Sequence, residues 1–162
     1  MEKIFNKKTA VWVAAACIIF KGWLSAVLEL HPDESYYWLW SKFLGLSYYD
    51  HPPMVAYFIK ATTLFCDSEF FVRLSGLIVA AALSVLLWFF AKKLFNEKIA
   101  AASVIIINTM PLMLAGALII TPDTPVFLFW SFALFVVAQS AAGNGEIKNG
   151  HWQRGFEPAR KS

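Results

Sequence analysis

The chain has 162 residues, of which 59% are hydrophobic and only 15% are charged, and its net charge is +3. About a quarter of the residues of an ordinary soluble domain are charged, so this composition excludes that class and indicates a membrane protein. The positive charge lies in short polar segments between apolar runs, without a basic and aromatic RNA-binding motif, so no nucleic-acid partner is predicted.

Four apolar runs predict an all-α polytopic membrane protein with four transmembrane helices. A helix of roughly 17–25 residues crosses a hydrocarbon core that is about 30 Å thick. The first run, interrupted by Lys21, is predicted to be an uncleaved span, because it is long and no small-residue cleavage site follows it. The spans are predicted at 9–28, 70–90, 99–120 and 126–142.

Basic residues cluster on one side of this arrangement. Ten of them fall at the N-terminus, between the second and third runs, or in the tail: Lys3, Lys7, Lys8, Lys92, Lys93, Lys98, Lys148, Arg154, Arg160 and Lys161. The opposite side has only Lys42 and Lys60. The positive-inside rule therefore predicts that both termini are cytoplasmic and that the segment 29–69 is extracytoplasmic.

The outer segment 29–69 is predicted to form two interfacial helices. Residues 33–44 carry aromatic side chains at helical spacing, and residues 54–65 form an apolar stretch too short to span a bilayer, preceded by two prolines. Residues 1–142 are thus assigned to the transmembrane domain, and 143–162 to a polar cytoplasmic tail that is expected to be flexible.

Three acidic positions in the outer loops are candidate functional residues: Asp33 with Glu34, Asp50 with His51, and Asp123. Carboxylates at a dry membrane edge can act as general bases, and with His51 they can bind a divalent cation. The alternative is helix capping. Asp33 suits an N-cap with Glu34 in the first turn, and Asp50 or His51 can cap the next helix.

Similar alternatives apply to the other polar residues of these loops. Thr124 can cap a helix that starts at Pro125, which leaves Asp123 in the turn. Arg73 either extends toward the membrane surface or binds a phosphate. Tyr37 and its aromatic neighbours form either an interfacial belt or a platform for a sugar ring.

The order of the motifs resembles one family. After a basic N-terminus and a first span come DESYYWLW, YYDHPPM, DSEFFVRLSG and ITPDTPVFLFW. Over about residues 8–140 this pattern resembles the N-terminal part of the dolichyl-phosphate-mannose protein mannosyltransferase-like superfamily, whose members include bacterial enzymes related to the aminoarabinose transferase of lipid A. The resemblance implies a partial GT-C fold in the bacterial inner membrane, with the active site at the extracytoplasmic face.

The resemblance also implies a reaction and residue roles. Such enzymes transfer a sugar from a polyprenyl-phosphate donor to a lipid, glycan or protein acceptor. By motif position Asp33 matches the general base, Glu34 is its neighbour, Asp50 matches a second acid, and Asp123 orients the acceptor or its loop. Arg73, His51 and Tyr37 are expected to bind substrate. No cofactor is expected to be required. The alternative is a divalent metal ion bound by Asp50 and His51.

Members of this family are much longer and have many more spans. The chain is therefore expected to be a truncated reading frame, a fragment or one half of a split protein, with little or no transferase activity alone. The competing hypothesis is a small non-catalytic membrane protein, a scaffold or assembly subunit, in which the acids cap helices. A transporter fragment fits less well, because the acids lie at one face rather than at the membrane midplane.

Overall fold

A computed structural model describes residues 5–143, and within them every regular element is a helix. The helices are α1 (Lys7–Val27), α2 (Pro32–Lys42), α3 (Met54–Thr63), α4 (Glu69–Leu94), α5 (Glu97–Thr109), α6 (Pro111–Leu118) and α7 (Asp123–Gly143). The predicted all-α class is confirmed, and α2 and α3 lie where two short helices were predicted. The predicted tail lies outside the described residues from position 144 onward.

Within residues 5–143, three helices are long and apolar enough to cross a membrane: α1, α4 and the segment Asp123–Ser140 of α7. The predicted third span, 99–120, is instead two shorter helices that meet at Met110, whose backbone is extended. Pro111 causes the break, because proline has no N–H to donate and disfavours a helical conformation in the residue before it.

The broken pair α5–α6 nevertheless runs antiparallel to α4 along its whole length. At one end Lys92 pairs with Glu97, and in the middle the Asn108 side chain donates to Ser84 Oγ across 2.9 Å. At the other end the backbone N–H of Ile120 and the guanidinium of Arg73 both bond to Glu34. We call the first end, which carries Lys7, Lys8, Lys92, Lys93 and Lys98, the lysine-rich end.

Helices α2 and α3 cover the opposite end of the bundle. Two contacts indicate that α2 and α3 run roughly parallel. Tyr36, near the start of α2, bonds to Asp50 just before α3, and Lys42, at the end of α2, pairs with Asp67 just after α3. A buried apolar cluster joins them to α4 and to the segment before α7; its members are Tyr37, Trp40, Val55, Ala56, Ile59, Val72 and Ile120.

The helix starts differ from the predicted caps. His31 rather than Asp33 is the N-cap of α2, because Pro32 already occupies its first turn. Pro53 precedes α3 without a side-chain cap, so neither Asp50 nor His51 caps it. Helix α7 begins at Asp123, so Thr124 and Pro125 lie inside its first turn. The capping alternative for Asp33, Asp50 and His51 is therefore wrong.

Candidate functional site

A buried ion pair lies beneath the α2 surface. The guanidinium of Arg73 in α4 binds the carboxylate of Glu34 in α2, with Nη2 2.6 Å from Oε2 and Nε 2.9 Å from Oε1. Arg73 is 4% exposed and Glu34 is fully buried. Two charges out of water are tolerated only when each is paired and its remaining hydrogen-bonding capacity is used.

The rest of that capacity is used by the backbone. Glu34 accepts hydrogen bonds from the N–H of His31 at 2.9 Å and from the N–H of Ile120 at 3.2 Å. Arg73 donates to the carbonyl of Leu28 at 2.7 Å and to that of Glu29 at 2.8 Å. The pair thus ties together the end of α1, the start of α2, the second turn of α4 and the segment before α7.

This geometry bears on two predicted site residues. Both oxygens of Glu34 accept hydrogen bonds, and Arg73 donates from all three of its guanidinium nitrogens. Neither side chain presents a free polar atom to a substrate. The buried position of Glu34 and Arg73 indicates that they hold the surrounding segments in place, beneath the surface on which the predicted chemistry would occur.

The three predicted aspartates lie in a different environment, at the exposed surface. Asp33, Asp50 and Asp123 are all open to solvent. Burial raises the pKa of the Tyr37 hydroxyl above its ordinary value of 10.0, and the negative charges of Asp33, Asp50 and Asp123 raise it further. The Tyr36–Asp50 and Ile120–Glu34 hydrogen bonds bring the segments that carry Asp50 and Asp123 to the first turns of α2, so all three carboxylates lie at one end of the bundle. That they form one acidic site stays a prediction. We call Asp33, Tyr37, Asp50, His51 and Asp123 the acidic cluster.

His51 and Tyr36 complete the surroundings of this cluster. The imidazole of His51 packs edge-on against the ring of Tyr37, with centroids 6.0 Å apart. The Tyr36 hydroxyl donates to Asp50 Oδ2 at 2.9 Å, and this hydrogen bond is the main reason why the pKa of Tyr36 lies above its ordinary value. The sequence pattern indicated an interfacial belt or a sugar platform for Tyr36 and its aromatic neighbours, and it did not reveal this hydrogen bond because the partner lies fourteen positions away.

A metal site at Asp50 and His51 was also predicted from the sequence. Among residues 5–143, no group of three or more His, Cys, Asp or Glu side chains lies close enough together to hold a metal ion. The two predicted ligands therefore lack a third protein ligand in this part of the chain.

An apolar groove opens beside the acidic cluster. It has a volume of about 380 Å³ and lies between the start of α3 and the first turns of α7. Its lining is almost entirely apolar: Pro52, Met54, Pro122, Pro125, Val126, Phe129, Trp130 and Ala133. Because Asp50 lies two residues before the lining residue Pro52 and Asp123 directly follows Pro122, polar and hydrocarbon parts of one ligand can be accommodated side by side here.

Chemically, the arrangement suits proton removal from a hydroxyl group. Asp33 has an exposed carboxylate, and Nδ1 of the His31 imidazole lies 3.6 Å from its Oδ2. A carboxylate with free acceptor positions can take a proton from an alcohol as the alcohol attacks an electrophile. The neighbouring groove supplies a water-poor surface for a lipid-linked reactant.

Comparison with known proteins gives two matches. Residues 50–151 match the family described as dolichyl-phosphate-mannose-protein mannosyltransferase. The chain is also 31% identical, over 104 residues, to the lipid A galacturonosyltransferase RgtD of Rhizobium johnstonii. That alignment covers 63% of this chain but only 22% of the relative. No solved structure matches the chain significantly.

Proposed function

Because the family match covers more than half of its residues, the chain belongs to the dolichyl-phosphate-mannose-protein mannosyltransferase family, and we propose that it acts in glycosyl transfer within a membrane. The donor in this proposal is a sugar on a polyprenyl phosphate, and the acceptor is a hydroxyl group of a lipid, glycan or protein. The relative named as a lipid A galacturonosyltransferase favours a glycolipid acceptor.

One observation carries the proposal: hydrogen bonds join the three segments that carry the exposed Asp33, Asp50 and Asp123 at one end of the bundle, next to an apolar groove. Helix caps or solvated turns do not require three acids from separate segments to lie at one end of the bundle. A reaction between a lipid-linked sugar and an alcohol requires both a base and a hydrocarbon surface. The acidic cluster and the groove supply these two features at the same end of the bundle.

The proposed step is a single displacement. Asp33 takes the proton from the acceptor hydroxyl, and the oxygen of that hydroxyl forms a new bond to the anomeric carbon of the donor sugar. The bond from that carbon to the phosphate oxygen breaks, and its electron pair leaves with the phosphate. Asp50, oriented by the Tyr36 hydroxyl, and Asp123 would hold the hydroxyl groups of the reactants.

The departing phosphate carries negative charge that a donor or cation must stabilise. Arg73 is fully used in the buried pair, so among residues 5–143 we propose that the imidazoles of His51, against Tyr37, and of His31, beside Asp33, serve this role. We retain a divalent cation at Asp50 and His51 as the alternative. Glu34 and Arg73 are proposed to position the cluster rather than to contact the substrate.

The proposed topology has four crossings. Helices α5 and α6 together run the length of α4, so they count as one broken crossing between α4 and α7. Positive charge favours the cytoplasmic side, which puts the lysine-rich end inside and the acidic cluster on the extracytoplasmic face. Both termini would then be cytoplasmic.

Deletion of the gene that encodes the chain tests this function. Mass spectrometry of extracted lipids, lipid A and envelope glycans should show the loss of a single sugar from one product. A plasmid copy of the wild-type gene should restore that product. An unchanged set of products in the deletion strain would contradict a role in glycosyl transfer.

A further inference from the structure

Large apolar side chains project into solvent at the end of α2 and α3 that lies away from the acidic cluster. Leu46 is 93% exposed, Phe65 82%, Phe43 76% and Leu64 71%, and Leu44 is also exposed. We call these five residues the hydrophobic rim. Large apolar side chains exposed to this degree are unfavourable in water, and a cluster of them indicates a contact with a protein or a membrane.

Hydrogen bonds from neighbouring side chains fix the two segments of the rim. Asp67, two residues after Phe65, accepts a hydrogen bond from Trp38 Nε1 at 2.8 Å and pairs with Lys42, next to Phe43. The Tyr57 hydroxyl of α3 donates to the carbonyl of Gly45 at 2.8 Å. The Lys42–Asp67 contact therefore holds Phe43 near the segment 64–65, and the Tyr57 bond fixes the segment that follows Phe43 against α3.

The spanning helices reach the same level. Phe65 lies four residues before α4 begins, and Arg73 fixes the end of α1 to α4 through its 2.7 Å bond to the Leu28 carbonyl. Val27 and Leu28 are themselves exposed apolar residues at that level. The apolar surface of α4 thus begins close to the rim residue Phe65, and exposed apolar residues of α1 reach the same end of the bundle. Trp38 and Lys42 beside the rim are residue types that favour the membrane–water boundary.

We propose that the hydrophobic rim inserts into the outer leaflet of the lipid bilayer. Interfacial segments of this type bury their apolar face roughly 5–10 Å into the boundary between headgroups and acyl chains. The rim would then anchor one end of the α2–α3 pair in lipid, while the acidic cluster at the other end stays in water. This proposal rests on the membrane placement proposed above, and it does not depend on sugar transfer.

Spin labels on the full-length chain in phospholipid nanodiscs test this anchor. In a Cys17→Ala, Cys66→Ser background, single cysteines at Leu46 and Phe65 carry the label. Ser35, exposed on α2 near the acidic cluster, is the aqueous control, and Ile78, exposed halfway along α4, is the lipid control. Power saturation of the electron paramagnetic resonance signal measures how often each spin label collides with oxygen and with a water-soluble nickel complex.

The labels at Leu46 and Phe65 should collide with oxygen more than with nickel, with a ratio between those of Ile78 and Ser35. Nickel accessibility at both positions equal to that at Ser35 would overturn the proposal and leave a soluble partner as the occupant. Because all four sites are exposed, the labels should not disturb folding, and circular dichroism verifies this. The depth measurement is independent of the product analysis, so either proposal can fail alone.

Discussion

Arg73 Nη2 lies 2.6 Å from Glu34 Oε2 at a site where neither side chain reaches solvent. The two residues are 39 positions apart in sequence and link α2 to α4. Glu34 also holds the segment before α7, because it accepts a hydrogen bond from the Ile120 N–H. Asp33 is adjacent to Glu34, and Asp123 lies three residues after Ile120. The buried pair therefore positions two of the three aspartates of the acidic cluster from below.

Replacement of Glu34 by glutamine should destabilise the fold strongly. Glutamine would leave the buried guanidinium without its counter-charge and would add an N–H2 group that faces other donors. Loss of one partner of a buried ion pair costs about 3–5 kcal/mol. Unfolding of the purified variant in mixed micelles, followed by circular dichroism, measures this loss.

Glu69→Gln is the matched control for that experiment, because Glu69 is an exposed glutamate in the first turn of α4. Its effect should be a few tenths of a kcal/mol, typical of an exposed charge near a helix start. Equal free energies of unfolding for the two variants would show that the buried pair does not hold the loops together.

The Lys42–Asp67 contact should make the fold sensitive to acid. The pKa of Asp67 lies below its ordinary value of 3.8, first because Lys42 and then because Trp38 donates to its carboxylate. A depressed pKa in the folded state contributes stability at higher pH, and that stability is lost as pH falls through the folded-state pKa. Asp67→Asn should therefore unfold more easily than wild type at pH 6, by a margin that shrinks at about pH 3. A margin that stays constant between the two pH values would refute this role.

The proposed topology predicts which side of the membrane each end of the bundle faces. In the background without native cysteines, Ser35→Cys should react with a membrane-impermeant maleimide in cells whose inner membrane is intact. Lys93→Cys should react only after that membrane is opened, and green fluorescent protein fused to the C-terminus should fluoresce. A C-terminus on the same side as Ser35 would mean that α5 and α6 do not complete a crossing.

Sequence patterns predicted the elements better than their junctions. Run length identified α1, α4 and α7, because a spanning helix must be continuously apolar. The break between α5 and α6 was missed, although Pro111 within the uncharged run 99–120 was a signal for it. Apolar composition conceals such a break, because the residues on both sides remain hydrophobic.

The sequence did not predict which side chains pair with partners that are distant along the chain. Acidic motifs at Asp33, Asp50 and Asp123 were recognisable from their order, but which carboxylate is buried depends on packing. Glu34 rather than Asp33 faces inward because His31 caps α2 and sets the helical phase. Arg73 had been considered as a phosphate ligand, and only the fold reveals that backbone carbonyls and Glu34 already occupy its donors.

The central claim is that exposed carboxylates of the acidic cluster, with Asp33 as the base, serve glycosyl transfer. The most direct test expresses Asp33→Asn in the deletion strain and compares its glycosylated product with those of wild type and Glu69→Gln at equal membrane levels. Loss of a general base typically lowers the rate by about 10²–10⁴-fold. We predict that Asp33→Asn folds normally and yields no detectable product, whereas Glu69→Gln yields the wild-type amount. A wild-type amount of product from Asp33→Asn would contradict the claim.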